Sequence, residues 1–223
     1  MNKLKISTIT LVMFLLMVIL AACSEEQPPN PAEFMYEHFE EAVVIERAVE
    51  EIQVPLTEAE NNEFEWYEEM LALSDLEEIE ALAAQAIESA EERRALMDEE
   101  KEIIDNAFQE FQQAIDFIED FQDEVVKEQA EDIVRMMEER HQTYQDLYNK
   151  YMETIDMDIE LYTLIYQEEL TIEELQEKHD LVNEAYQQIN ELNNQFNEIT
   201  AEFNNAKREF YENAGLEVVF EGA

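Results

Sequence analysis

The sequence predicts an all-α protein, an elongated antiparallel bundle or coiled coil of three or four long helices. Three observations carry this. From Leu56 to Ala214 there is neither glycine nor proline, so the residues that usually end helices and make hairpins are missing. Apolar residues recur in steps of three and four over most of that span. Finally, 46% of the 223 residues are apolar although 31% are charged, enough to bury a core.

Taken in order, the chain opens with Lys3 and Lys5, an apolar run from Ile6 to Leu20, and the small residues Ala21 and Ala22. That is the pattern of a secretory signal peptide over residues 1–22, with an apolar part too short to span a bilayer comfortably. Leu20-Ala21-Ala22-Cys23 resembles the lipobox of bacterial lipoproteins. The resemblance implies cleavage before Cys23 and lipid attachment to its thiol, and two or more acyl chains hold a protein stably on a membrane. Residues 23–31 read as a polar, proline-rich spacer (SEEQPPNP), and residues 32–215 as the bundle. Asn30 and Pro31 are an N-cap and a first helical residue.

The first helix carries the seam Ile45, Val49, Ile52, Leu56, Ala59, Glu63, Trp66, Met70 and Leu73. Its register passes through Pro55, which predicts one kinked helix and not two. Ser74-Asp75-Leu76-Glu77 reads as a capping box after a tight turn. The next seam runs Ala83, Ile87, Ala90, Arg94, Met97, Lys101, Ile104, Phe108, Phe111, Ile115, Ile118. A third runs Val126, Ala130, Ile133, Met137, Arg140, Tyr144, Leu147, Tyr151, displaced by one residue from the second. The displacement favours a turn near Phe121 to Lys127 over a skip within one helix, although no glycine, proline or asparagine marks it. Leu161, Tyr162, Ile165 and Tyr166 continue a helical face.

The last helix is bounded by a capping box at Thr171-Ile172-Glu173-Glu174 and by Gly215. Its seam is Val182, Ala185, Ile189, Leu192, Phe196, Ile199, Phe203, Ala206 and Phe210, so another helix runs alongside it. Residues 216–223 read as an extended tail.

Composition narrows the function. Asp and Glu number 57 against 13 Lys and Arg, a formal net charge of −44. Such a field repels nucleic acid and anionic head groups. Cys23 is the only cysteine, so neither a disulfide within the chain nor a thiolate metal site is expected. No glycine-framed serine or phosphate loop appears, and no catalytic residues or cofactors are assigned; the chain does not read as an enzyme.

Glu138 and His141 have the i, i+3 spacing of a di-iron bundle site. His38 and His179 lack the matching glutamate, so no metal centre is assigned. Tyr144, Tyr148 and Tyr151, with Tyr162 and Tyr166, form helical stripes that suit either sugar stacking or ordinary packing. Arg94, Lys101 and Arg140 sit at seam positions, where they either pair with flanking glutamates or snorkel. Glu58, Glu60, Glu63, Glu65, Glu68 and Glu69 are the candidate cation-collecting surface. Anionic wall polymer would need such a bridge.

The Cys23 motif, the stretch Glu138-Glu139-Arg140-His141-Gln142-Thr143-Tyr144-Gln145-Asp146-Leu147-Tyr148 and the ending Lys207-Arg208-Glu209-Phe210-Tyr211-Glu212-Asn213-Ala214-Gly215-Leu216 resemble the YkyA-type lipoproteins of Gram-positive bacteria. The resemblance covers Pro31 to Val218. It implies a non-enzymatic protein, lipid-anchored through Cys23 on the outer face of the cytoplasmic membrane and contacting cell-wall polymer or envelope proteins. The alternative is an extracytoplasmic chaperone or assembly scaffold. An exposed apolar groove would favour the latter, and tyrosines in a row on a polar face a sugar binder.

Overall fold

The computed structural model of the protein describes residues 30–218; the signal segment, Cys23, most of the spacer and residues 219–223 lie outside them. Helix α1 spans Pro31–Glu46 and is joined by a 3-10 segment, Arg47–Val49, to α2, Glu50–Ala72. Helix α3 spans Leu76–Gln112 and tightens into a 3-10 helix, Gln113–Asp120. Helices α4, Glu124–Leu164, and α5, Ile172–Asn213, complete the bundle. At 1.5 Å per residue the 42 residues of α5 are about 63 Å long. No strand forms among the described residues.

The boundaries follow local chemistry. Helix α2 continues through Pro55 without a break, while the first rod is interrupted earlier, by the 3-10 segment Arg47–Val49. Asp75, not Ser74, caps α3, its Oδ1 accepting from the Glu77 and Glu78 amides at 2.9 and 3.4 Å. The turn between α3 and α4 falls at 121–123. Asp123 caps α4 through the Val125 and Val126 amides, an aspartate signal in place of the absent glycine. Thr171 and Glu174 form the reciprocal box at the start of α5. Its end is a Schellman closure: Gly215 has φ 76°, Leu216 N–H donates to Tyr211 O, and Gly215 N–H donates to Glu212 O. Leu216 and Val218 then pack back on the core, so the tail's start is held.

Four rods run alternately up and down: α1–α2, α3 with its 3-10 extension, α4 and α5. Each packs on its neighbour in sequence. At the end where α1 starts and α5 finishes, Met35, Phe39, Phe111, Ile133, Phe203 and Phe210 make one core. At the other end Tyr67, Met70, Tyr151, Ile155 and Leu161 make a second. The seams of the first rod, of α4 and of α5 are buried or half-buried throughout.

The α3 seam is likewise buried or half-buried, but the fully buried residues follow a second line beside it. Its buried stripe runs Ile79, Ala83, Ala86, Ala90, Arg93, Met97, Glu100, Ile104, Ala107, Phe111. Arg94 and Lys101 sit half-exposed at its edge, paired with Glu91 and Asp156 and with Asp105. Helix α3 packs against both the first rod and α4, so its buried face is wider than one line of side chains. Arg93 and Glu100 lie on that face despite their charge.

Candidate functional site: a groove between the outer rods

The outer rods, α1–α2 and α5, touch at their two ends and separate between them. At one end Phe39 meets Phe210 and Tyr211, and Lys207 and Tyr211 both donate to Glu40 at 3.0 Å. Arg140 of α4 ties the same region together, with one guanidinium on Glu46, its Nε–H on Thr200 at 2.8 Å and its face over the Phe196 ring. At the other end Tyr67 stacks on His179 and hydrogen-bonds its Nδ1 at 3.2 Å. Between these bridges lies a groove of about 790 Å³, floored by α3 and α4.

Its lining is mixed. Gln53, Leu56, Glu60 and Phe64 come from α2; Met97, Glu100, Tyr144 and Tyr151 form part of the floor. Asn183, Tyr186, Asn190, Asn193, Phe196 and Asn197 line the α5 side. Phe64 stands at the rim, 65% exposed. Apolar and carboxamide groups alternate, so the groove is no continuous apolar trough. The four asparagines lie off the apolar stripe of α5, and their spacing of seven, three and four is the trace they leave in the sequence.

Beneath the groove lies a buried ionic cluster. Arg93, 1% exposed, reaches Glu63 at 2.8 Å and Asp158 at 2.6 Å. It also donates to the hydroxyls of Tyr151 and Tyr186 at 3.4 and 3.0 Å. Ser89 and Tyr162 donate to Glu63, Tyr186 to Asp158, and Tyr151 to Glu60. One guanidinium thus serves three rods through two buried carboxylates, with Glu60 at 3.9 Å as a third. Burial pushes the Glu63 carboxyl up to about 7 against the opposing pull of Arg93, and raises Asp158 likewise. Glu100 is a further buried carboxylate. Among the described residues no cation stands within 4 Å of it, and it accepts from Tyr144 at 3.2 Å and Gln53 at 2.9 Å; burial raises its pKa too.

A consequence for stability follows. Because Glu63 holds its proton more tightly folded than unfolded, its contribution is complete below the unfolded value near 4.5. It is lost as pH rises towards 7. The difference in melting midpoint between wild type and Glu63→Gln is therefore expected to change between pH 5 and 8, wild type losing ground as pH rises. Parallel curves over that range would contradict a buried, proton-holding Glu63.

The structure sorts the sequence candidates. Glu63 does not belong to a cation-collecting surface: it is 2% exposed and held against Arg93. Glu60 is turned to Tyr151 at the groove, while Glu58, Glu65, Glu68 and Glu69 are exposed on the first rod. Among the described residues no three His, Cys, Asp or Glu converge as a metal site. His141 is bound by Asp105 at 2.8 Å and stacked on Phe108. Tyr144 and Tyr151 are buried in the groove floor, whereas Tyr148 does not line the groove and donates to Asp98 at 2.5 Å. The three tyrosines therefore form no exposed row. Tyr162 also lines the groove, and Tyr166 is half-buried. Cys23 lies outside the described residues.

The sequence pattern of the YkyA family, described as "Putative cell-wall binding lipoprotein", matches residues 30–213, the whole of the bundle. The chain belongs to the YkyA family. It is 27% identical over 168 residues to the uncharacterized lipoprotein YkyA of Bacillus subtilis (strain 168), covering 74% of each chain. The fold is also similar to a crystal structure of a conserved protein of unknown function from Staphylococcus aureus. The TM-score is 0.55 at 13% identity, covering 82% of this chain and 97% of that one. For the YkyA family the groove and the Arg93 cluster are features of this member's geometry, and the family description names no residues.

Proposed function

We propose that this YkyA-family protein is a non-enzymatic lipoprotein, anchored through Cys23 outside the cytoplasmic membrane, that contacts wall material or wall-associated proteins through the groove between α2 and α5. The family description supports the setting. The observation that carries the site is the groove itself: about 790 Å³, framed at both ends and lined by aromatic rings and carboxamides. Recessed surfaces of this size with a few placed polar groups are where ligands bind. The ionic cluster under the floor touches all four rods, α5 through Tyr186, and so holds the groove walls in register.

Co-sedimentation of the detergent-solubilised full chain with purified wall sacculi tests this. Phe64→Ala and Asn190→Ala alter exposed lining side chains and are expected to weaken sedimentation severalfold with unchanged melting; Tyr148→Phe, off the groove, is expected to sediment as wild type. Equal sedimentation of all four proteins would place the contact elsewhere. Anchoring is tested separately: Cys23→Ala is expected to abolish incorporation of a fatty-acid analogue and detergent-phase partitioning. Labelling that survives the substitution would remove the anchor from the proposal.

A further inference from the structure

We infer that the groove between α2 and α5 takes an extended polypeptide segment carrying lysine or arginine side chains, read by the α5 asparagines along its backbone and by Glu60 and Glu100 through its cations. The inference rests on the groove being the site of contact proposed above.

Shape comes first. From Glu46 to Tyr67 the framed stretch covers 21 residues of helix, about 30 Å. A volume of 790 Å³ spread along that length is a narrow slot. It suits a single extended chain of about nine residues at about 3.1–3.3 Å each. The bridges Tyr67–His179 and Arg140–Glu46 stop both ends.

Backbone chemistry comes second. Asn183, Asn190 and Asn197 line the slot, exposed and seven residues apart, a repeat of about 10.5 Å along the helix. An extended chain of the polyproline type repeats every three residues, about 9.3 Å, so successive carboxamides meet peptide groups of like orientation. A carboxamide offers both a donor and an acceptor, the pair that a peptide N–H and C=O require. The side chains of Asn183 and Asn190 make no hydrogen bond among the described residues, and those of Asn193 and Asn197 bond only each other.

Charge decides the side chains. Glu46, Glu60, Glu100 and Asp158 line the slot, and the two guanidiniums nearest them are committed, Arg140 to Glu46 and Thr200, Arg93 to Glu63 and Asp158. Glu60 is 3.9 Å from Arg93, and Glu100 faces no cation within 4 Å. The hydroxyls of Tyr151 and Tyr144 donate to these two carboxylates and hold them at the slot. An anionic strand would meet Glu60 and Glu100, which have no close cation of their own, and no unengaged cation.

The probe is a fluorescein-labelled nine-residue peptide with lysine at every third position and alanine between. Anisotropy is followed with the detergent-solubilised full chain at 0.15 M NaCl. Because any cation is drawn to a chain this acidic, the controls are positional. Phe64→Ala with Asn190→Ala is expected to weaken binding at least tenfold, and Glu100→Gln severalfold. Glu58→Gln, an equal charge change on the outer surface, is expected to stay within twofold. The same peptide with acetylated lysines is expected to lose binding at least tenfold. Equal losses for Glu58→Gln and Glu100→Gln, or wild-type affinity in the Phe64→Ala/Asn190→Ala chain, would mean diffuse attraction and overturn the inference. So would tighter groove binding of a wall-derived glycan fragment than of the peptide. Sacculus sedimentation separates the two readings: groove-dependent sedimentation without peptide binding keeps wall contact and ends the peptide inference, while peptide binding without sedimentation does the reverse.

Discussion

Replacing Arg93 with methionine is expected to cost about 3–5 kcal/mol, because Glu63 and Asp158 stay buried without their cation. In a domain of this size that corresponds to a fall of roughly 10 °C in melting midpoint. Arg94→Ala is the control one position along. Its bonds to Glu91 and Asp156 lie at the surface, where such pairs contribute about 0–1 kcal/mol. Two signatures separate charge from packing. Lowering the pH to 5 is expected to recover part of the loss, since Glu63 and Asp158 are already raised and take protons readily. Adding Glu63→Gln to Arg93→Met is expected to recover part of it at neutral pH, because one stranded carboxylate is gone. If Arg93→Met melted no lower than Arg94→Ala, the cluster would contribute nothing to holding the rods.

Phe210→Ala is the second large effect. The ring is 0% exposed and meets Phe39, Phe121 and Tyr211, residues from the first rod, the 121–123 turn and α5 itself. Truncation removes its buried area and leaves a cavity that three rigid neighbours cannot fill, about 3–5 kcal/mol. Phe203→Ala, nearly as buried, is expected to cost about 3 kcal/mol. Phe196→Ala is expected to cost less: that ring is half-buried in the groove wall beneath the Arg140 guanidinium and has water on one side. Asn197→Ala, exposed, is expected to be silent in chemical denaturation. A Phe210→Ala midpoint indistinguishable from that of Asn197→Ala would refute the core at this end of the bundle.

What could be read from the sequence was whatever a single helix records about itself. The steps of three and four in α5, the Thr171–Glu174 box and the one-residue displacement that marks the turn at 121–123 are local. Each has one physical cause and survives into the structure. The α3 stripe was half legible. Ala83, Ala90, Met97 and Ile104 belong to either of two lines, and the choice fell on the line holding Arg94 and Lys101, because two flanking apolar residues, Ile87 and Phe108, completed it. Which line is buried depends on where the neighbouring rods stand, and no residue of α3 states that.

The groove was illegible for the same reason. A space between α2 and α5 belongs to neither helix, and it exists because those two rods approach each other only near Phe39–Phe210 and Tyr67–His179. The Arg93 cluster joins residues 63, 93 and 158, and each alone resembles the many surface charges of an acidic chain. Glu63 belongs to the first rod's seam and to its run of acidic residues alike, and only its seam position matches its burial. The asparagines of α5 were a fainter trace, since a regular carboxamide row on a helix edge is unneeded for packing.

The start of α1 and the finish of α5 lie side by side, with Tyr36 edge-on to Tyr211 at 5.2 Å and Lys207 bound to Glu40. This sets how the bundle answers a mechanical load. Traction applied between Pro31 and Asn213 would peel the two terminal rods apart from that one end, meeting the aromatic contacts one after another as a zipper meets its teeth. Traction across opposite ends would have to slide whole rods past one another and break every seam contact together. The domain is thus soft to separation of its own two ends and stiff along its length.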